Sequence, residues 1–97
     1  MREVKQTKGF RQSLKRLGRG IYRELLVMPD GELWQAVRIL ANDMPLPPKY
    51  RDHPLHGNRE GSRECHIRPD LLLVYKYEGD YLLILDMLGT HSEIFGL

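Results

Sequence analysis

Leu71-Leu72-Leu73-Val74-Tyr75-Lys76-Tyr77, then Glu78-Gly79-Asp80, then Tyr81-Leu82-Leu83-Ile84-Leu85-Asp86-Met87 is the stretch that decides the fold class. Two runs rich in Leu, Val, Ile and Tyr flank a short turn that contains glycine, the pattern of a β-hairpin. Upstream, Ser62 to Ile67 reads as a third strand. In it His66 alternates with Cys65 and Ile67, so its side chain belongs on the opposite face of the sheet from theirs. Further back, Met44-Pro45-Leu46-Pro47-Pro48-Lys49-Tyr50 holds three prolines, which forbid a helix or a central strand and predict an extended connector.

The first half has a different period. From Thr7, a candidate N-cap, Phe10, Leu14, Leu17, Ile21 and Leu25 recur every three or four residues on one helical face, weakened near Gly18 and Gly20. Pro29-Asp30-Gly31 interrupts, and Leu33, Val37 and Leu40 with Trp34, Ala36 and Ala41 predict a second helix ending near Asp43. Arg2 to Gln6 reads as a short strand. Helices and strands are segregated along the chain, which makes an α+β domain spanning 1–97. The expected product is an N-terminal strand and an antiparallel two-helix hairpin packed on a small antiparallel sheet.

A chain of 97 residues buries one modest core, so an extended substrate lying across a face suits it better than a deep cavity. The single cysteine, Cys65, excludes an internal disulfide and a cysteine zinc knuckle and fits a reducing interior. The longest apolar run, Leu71 to Tyr75, is far short of the roughly 20 residues that span a bilayer. The expectation is a soluble cytoplasmic protein that does not engage a membrane. Residues 1–23 hold eight Lys or Arg against the single acid Glu3, although the whole chain is only +2. Such a basic block favours a polyanion through counterion release.

His53, His66 and His91 lie in short polar settings in the second half. Histidine is the side chain that titrates near neutrality, so one imidazole can take a proton while another returns one. Cleavage of RNA by its own 2′-hydroxyl needs a base for that oxygen, an acid for the departing 5′-oxygen and cations for the phosphate. Zinc sites usually declare themselves by ligands at close spacing, and Pro54 between His53 and His56 makes a helical ligand pair unsuitable. Neither a metal nor another cofactor is expected.

Pro45-Leu46-Pro47, Tyr50-Arg51-Asp52-His53-Pro54-Leu55-His56-Gly57, Arg63-Glu64-Cys65-His66-Ile67-Arg68-Pro69-Asp70, Leu73-Val74-Tyr75 and Gly89-Thr90-His91-Ser92-Glu93-Ile94-Phe95 run in order over residues 44–96. Together they resemble the YafQ branch of the RelE toxin superfamily. The resemblance implies a strand, two helices and a curved antiparallel sheet. It also implies a type II toxin that cuts messenger RNA in the ribosomal A site and is neutralised by a cognate antitoxin. By the same resemblance His53, His66 and His91 line the active face, and Asp70 acts as a base or fixes a histidine tautomer. Phe95 offers a stacking face for a base, and His56 has no counterpart in the motif. Lys8, Arg11, Lys15 and Arg16 of the first helix would dock on ribosomal RNA.

The chain departs from that pattern twice. Four residues before the last histidine, where relatives usually carry arginine, stands Met87, and where some have tryptophan stands Leu71. Methionine supplies neither charge nor a bidentate donor. Arg59, Arg63 and Arg68 are the candidates to replace the missing cation on the RNA. Without a replacement the expected alternative is a weakened or inactive toxin of this fold, acting by binding RNA, antitoxin or a gyrase-like target.

Overall fold

A computed structural model describes residues 1–96 of the chain. Five strands form one sheet in the order β1-β5-β4-β3-β2, with β1 at Glu3–Gln6, β2 at His53–Pro54, β3 at Arg63–Arg68, β4 at Leu71–Glu78 and β5 at Leu82–Gly89. The pairs β2–β3, β3–β4 and β4–β5 are antiparallel as expected. The first pair is not: β1 runs parallel to β5, Val4 opposite Leu83, so the sheet is mixed. A parallel partner so distant in sequence leaves no local turn signal.

β4 is the middle strand, and residues 71–75 of it are buried on both faces, which explains the unbroken apolar run there. Leu71, Leu73 and Tyr75 join Cys65, Ile67, Leu83, Leu85 and the helices in the main core. Leu72 and Val74 point the other way and form a smaller cluster with Ile94, against which Leu55, Met87 and Phe95 pack. His66 stands opposite Leu72 in the β3–β4 register, away from Cys65 and Ile67, as its alternation requires.

Thr7 caps α1 (Lys8–Leu17), its Oγ1 accepting the Phe10 N–H at 3.0 Å. The same hydroxyl donates to the Asp86 carbonyl at 2.7 Å, fixing the start of α1 to β5. The predicted long first helix stops at Leu17. After a turn the chain makes a separate single-turn helix, α2 (Arg23–Leu26), before α3 (Glu32–Ala41). Gly18 permits that break: a Cβ there would stand 2.9 Å from the Leu14 carbonyl and 3.0 Å from Val27. The break also corrects the expected helical face, because the phase is lost at Gly18 and Ile21 is left 92% exposed.

The proline connector is not fully extended. Pro48–Tyr50 form one turn of 3-10 helix, Pro48 being tolerated at a first helical position, and Tyr50 is buried in the core. His91, expected in a closing turn, instead begins a short helix, α4 (His91–Phe95). Thr90 Oγ1 accepts from Glu93 N and Glu93 Oε1 accepts from Thr90 N, a capping box. The Thr90 backbone N–H, with the Arg16 guanidinium also close by, holds the Glu93 carboxyl below the usual range.

Candidate active site

The sheet face away from α1 and α3 carries the histidines, and the register explains how they meet. His53 of β2 lies directly opposite Glu64 of β3, and His66 is two residues further along the same face. The two-residue turn Pro69-Asp70 then brings Asp70 to the end of the sheet where β5 gives way to α4. The ring centroids of His53 and His66 are 6.1 Å apart, those of His66 and His91 5.6 Å, and those of His91 and Phe95 6.4 Å. Four rings from three parts of the chain thus form one strip.

Each histidine has a distinct anchor. Asp70 Oδ1 accepts two hydrogen bonds from His91, from the backbone N–H at 2.9 Å and from Nδ1–H at 2.6 Å. These two bonds, backbone first, hold the Asp70 carboxyl below its ordinary range. The imidazole is therefore set with the proton on Nδ1, leaving Nε2 to accept one, and the side chain is 44% exposed. His53 is also fixed through Nδ1, which donates to the Arg51 carbonyl at 2.7 Å. Arg51 is held in the left-handed region at φ 49°, an arrangement that aims its carbonyl at the ring.

Between His53 and His66 lies a residue that the sequence reading passed over. Glu64 is 3% exposed, and its Oε1 stands 3.1 Å from His66 Nε2 and 3.6 Å from His53 Nε2. A carboxylate is almost never buried without a partner, and here the two imidazoles supply the contacts. The signal was present in the strand period, because Glu64 is two residues before His66. His66 itself is only 12% exposed on its side chain, and its Nδ1 is buried without a hydrogen-bond partner among the described residues.

His53, Glu64 and His66 also place one ligand atom each within 4.8 Å of one another, a set able to hold a metal ion. The local spacing of His53 and His56 had argued against a metal. Strand pairing, which brings residues eleven or more positions apart together, supplies the group that local spacing does not. Two imidazoles and a carboxylate suit zinc, copper or nickel.

The remaining predicted residues separate by their partners. Arg63 is held by Asp52, Nη2 to Oδ2 at 3.2 Å, and Asp52 also accepts from the Tyr75 hydroxyl at 2.5 Å. Burial and that bond push the Tyr75 phenol up. Arg68 is bound to Glu32. Arg59 lies against Phe95, with Cζ 5.6 Å from the ring centroid. On α1, Lys8, Arg11 and Lys15 are exposed and stand apart from the strip, whereas Arg16 pairs with Glu93 of α4 at 2.6 Å.

A helix-backed sheet carrying three histidines and an anchoring aspartate on its open face defines the class, a small α+β protein with its titratable groups gathered on one sheet surface. A family model described as bacterial toxin of type II toxin-antitoxin system, YafQ, matches residues 2–96, and the chain belongs to that family. It is 45% identical over 58 residues to the mRNA interferase toxin YafQ of Escherichia coli strain K12, a match covering 60% of this chain and 62% of that relative. The aligned stretch thus spans less than two thirds of the curated relative. Among solved structures, a metal-bound toxin from Helicobacter pylori is 40% identical with TM-score 0.82, covering 98% of this chain and 100% of the other. The E. coli DinJ-YafQ complex is 33% identical with TM-score 0.78, covering 99% of this chain and 100% of that one.

Proposed function

We propose that this protein is an endoribonuclease toxin that cuts messenger RNA on the ribosome by metal-independent acid and base chemistry, and that a small antitoxin restrains it in the cytoplasm. The observation that carries this reading is the strip His53, His66 and His91, at ring spacings of 6.1 and 5.6 Å, with Asp70 fixing the tautomer of His91. The relative named as an mRNA interferase and the solved DinJ-YafQ complex support the activity and the kind of partner. None of the described helices is long and apolar enough to cross a membrane.

In the proposed reaction the 2′-oxygen of the substrate forms a bond to phosphorus as its proton passes to His91 Nε2. The bond from phosphorus to the 5′-oxygen breaks, and that oxygen takes a proton from the pair His53 and His66, which Glu64 positions. Positioned proton transfer of this kind contributes about 10²–10⁴-fold to rate. Phe95 stacks a base beside His91, and the basic face of Lys8, Arg11 and Lys15 steers the toxin to ribosomal RNA. Arg63 and Arg68, each tied to an acid, shape the rim.

The chemistry of the cut ends tests this mechanism. Attack by the 2′-oxygen leaves a 2′,3′-cyclic phosphate and a 5′-hydroxyl, so end-labelling of the fragments without prior phosphatase treatment should succeed. Fragments bearing 5′-phosphate would refute the mechanism, since they require attack by water.

A further inference from the structure

Met87 leaves β5 without a cation on the histidine face, and the ion pairs separate the three arginines that could replace it. Arg63 is bound to Asp52 and Arg68 to Glu32, whereas Arg59 has no carboxylate partner among the described residues. Arg59 Nη1 lies 2.9 Å from Met87 Sδ, and Nη2 donates to the Ile94 carbonyl at 2.8 Å. The guanidinium also stands over the Phe95 ring. A thioether is a weak acceptor with no charge, so these contacts fix the position of the cation and leave its charge uncompensated. The backbone that carries it lies outside β5: Arg59 ends the 3-10 turn Gly57–Arg59, which Gly57 opens at φ 66°.

A cleft of about 560 Å³ lies beside it, lined by Leu55, His56, Asn58, Arg59, Ile94 and Phe95. Phe95 is shared between this cleft and the histidine strip, its ring 6.4 Å from His91. The cleft therefore combines an aromatic stacking surface, two polar side chains and an unneutralised arginine at the edge of the catalytic groups. A half-buried guanidinium with no carboxylate partner among the described residues retains donors for an anion.

We propose that this cleft is a nucleotide subsite and that Arg59 is its phosphate-binding cation, set at the tip of residue 87 from the 57–59 turn. This rests on the RNA-cleaving reading above and deepens it by naming the group that meets the negative charge growing on the phosphoryl oxygens. The base stacks on Phe95, and His56 and Asn58 meet its polar edge. The methionine of β5 is then the apolar support on which the relocated guanidinium rests.

The test measures single-turnover cleavage of a translated message, with melting temperature, for the wild type, Arg59→Ala, Arg59→Lys and the double variant Arg59→Ala with Met87→Arg. Loss of a donor to transition-state charge lowers rate by about 10²-fold, which is the drop expected for Arg59→Ala with little change in melting temperature. Lysine should recover part of the rate, since it carries charge without the planar fork. Returning a guanidinium from β5 in the double variant should recover most of it. Wild-type rate in Arg59→Ala would overturn the assignment while leaving the nuclease reading intact. A double variant as slow as Arg59→Ala, with a lowered melting temperature in both, would make Arg59 a structural pin and also overturn it. If the wild type cuts no message at all, the nuclease reading falls and this assignment with it.

Discussion

Glu64→Gln and Glu64→Ala probe the buried carboxylate on which the proposed proton donor depends. The contact to His66 Nε2 at 3.1 Å is within hydrogen-bond range, and a hydrogen bond to a charged group contributes about 1.5–3 kcal/mol. The contact to His53 at 3.6 Å is longer, and that side chain is 47% exposed, so solvent screening reduces it to roughly 0.5 kcal/mol or less. Removing the carboxylate also relieves its own desolvation, which offsets part of the loss. The net change for Glu64→Ala is about 2 kcal/mol, a fall in melting temperature of roughly 8–16 °C for a domain of this size. Gln keeps the shape and a neutral acceptor, so it should lose only about 1 kcal/mol. Cleavage should nonetheless fall about 10²-fold in both variants, because both lose the carboxylate that positions the donor rings. Thermal denaturation followed by circular dichroism, with single-turnover cleavage, separates the two effects. Full activity in Glu64→Gln, or a raised melting temperature in Glu64→Ala, would refute the reasoning.

Asp70→Asn should lower cleavage about 10²-fold with little effect on folding, because the amide no longer enforces the Nδ1–H tautomer of His91; an unchanged rate would remove Asp70 from the mechanism. Asp70 is held below the ordinary carboxylate range in the folded state, so its hold on His91 is complete above that range and lost only as pH falls through the lowered value. A pH profile of cleavage should accordingly show no limb from Asp70 near neutrality. Zinc or nickel at micromolar concentration should inhibit by occupying His53, Glu64 and His66, with EDTA restoring activity; stimulation by metal would favour water attack instead. Phe95→Leu, which keeps apolar volume against Ile94 but removes the stacking face, should weaken RNA binding by about 5- to 100-fold in a filter or anisotropy assay.

The legible parts of this fold are those written in local periodicity. Strands β3 to β5 and helix α3 follow from alternation and three-to-four spacing, within a residue or two of their observed ends, whereas α1 matches the expectation only at its start. The sequence reading failed where the determinant is nonlocal or very short. The parallel β1–β5 pairing depends on the whole chain, β2 is two residues long and α4 five, and no period can be seen in so few residues. Ile21 misled because it fits the helical spacing, whereas Gly18 ends the helix before that spacing reaches it. At the site, the structure brings His53, His66, His91 and Asp70 onto one face of the sheet. Glu64 shares the face of His66 by strand period, but its contact with His53 exists only once β2 lies beside β3, and the Arg51 carbonyl is aimed by a left-handed backbone that the residue type does not announce. Arg59 was separated from Arg63 and Arg68 by ion pairing alone, a property with no signature in one sequence.

Primer extension on a translated message tests the account most directly, with purified wild-type protein compared with His53→Ala, His66→Ala and His91→Ala in the presence of EDTA. The account predicts codon-phased cuts by the wild type that chelator does not remove, reduced by about 10²-fold or more in each variant. Absence of cuts by the wild type, or undiminished cutting when all three histidines are replaced together, would contradict it.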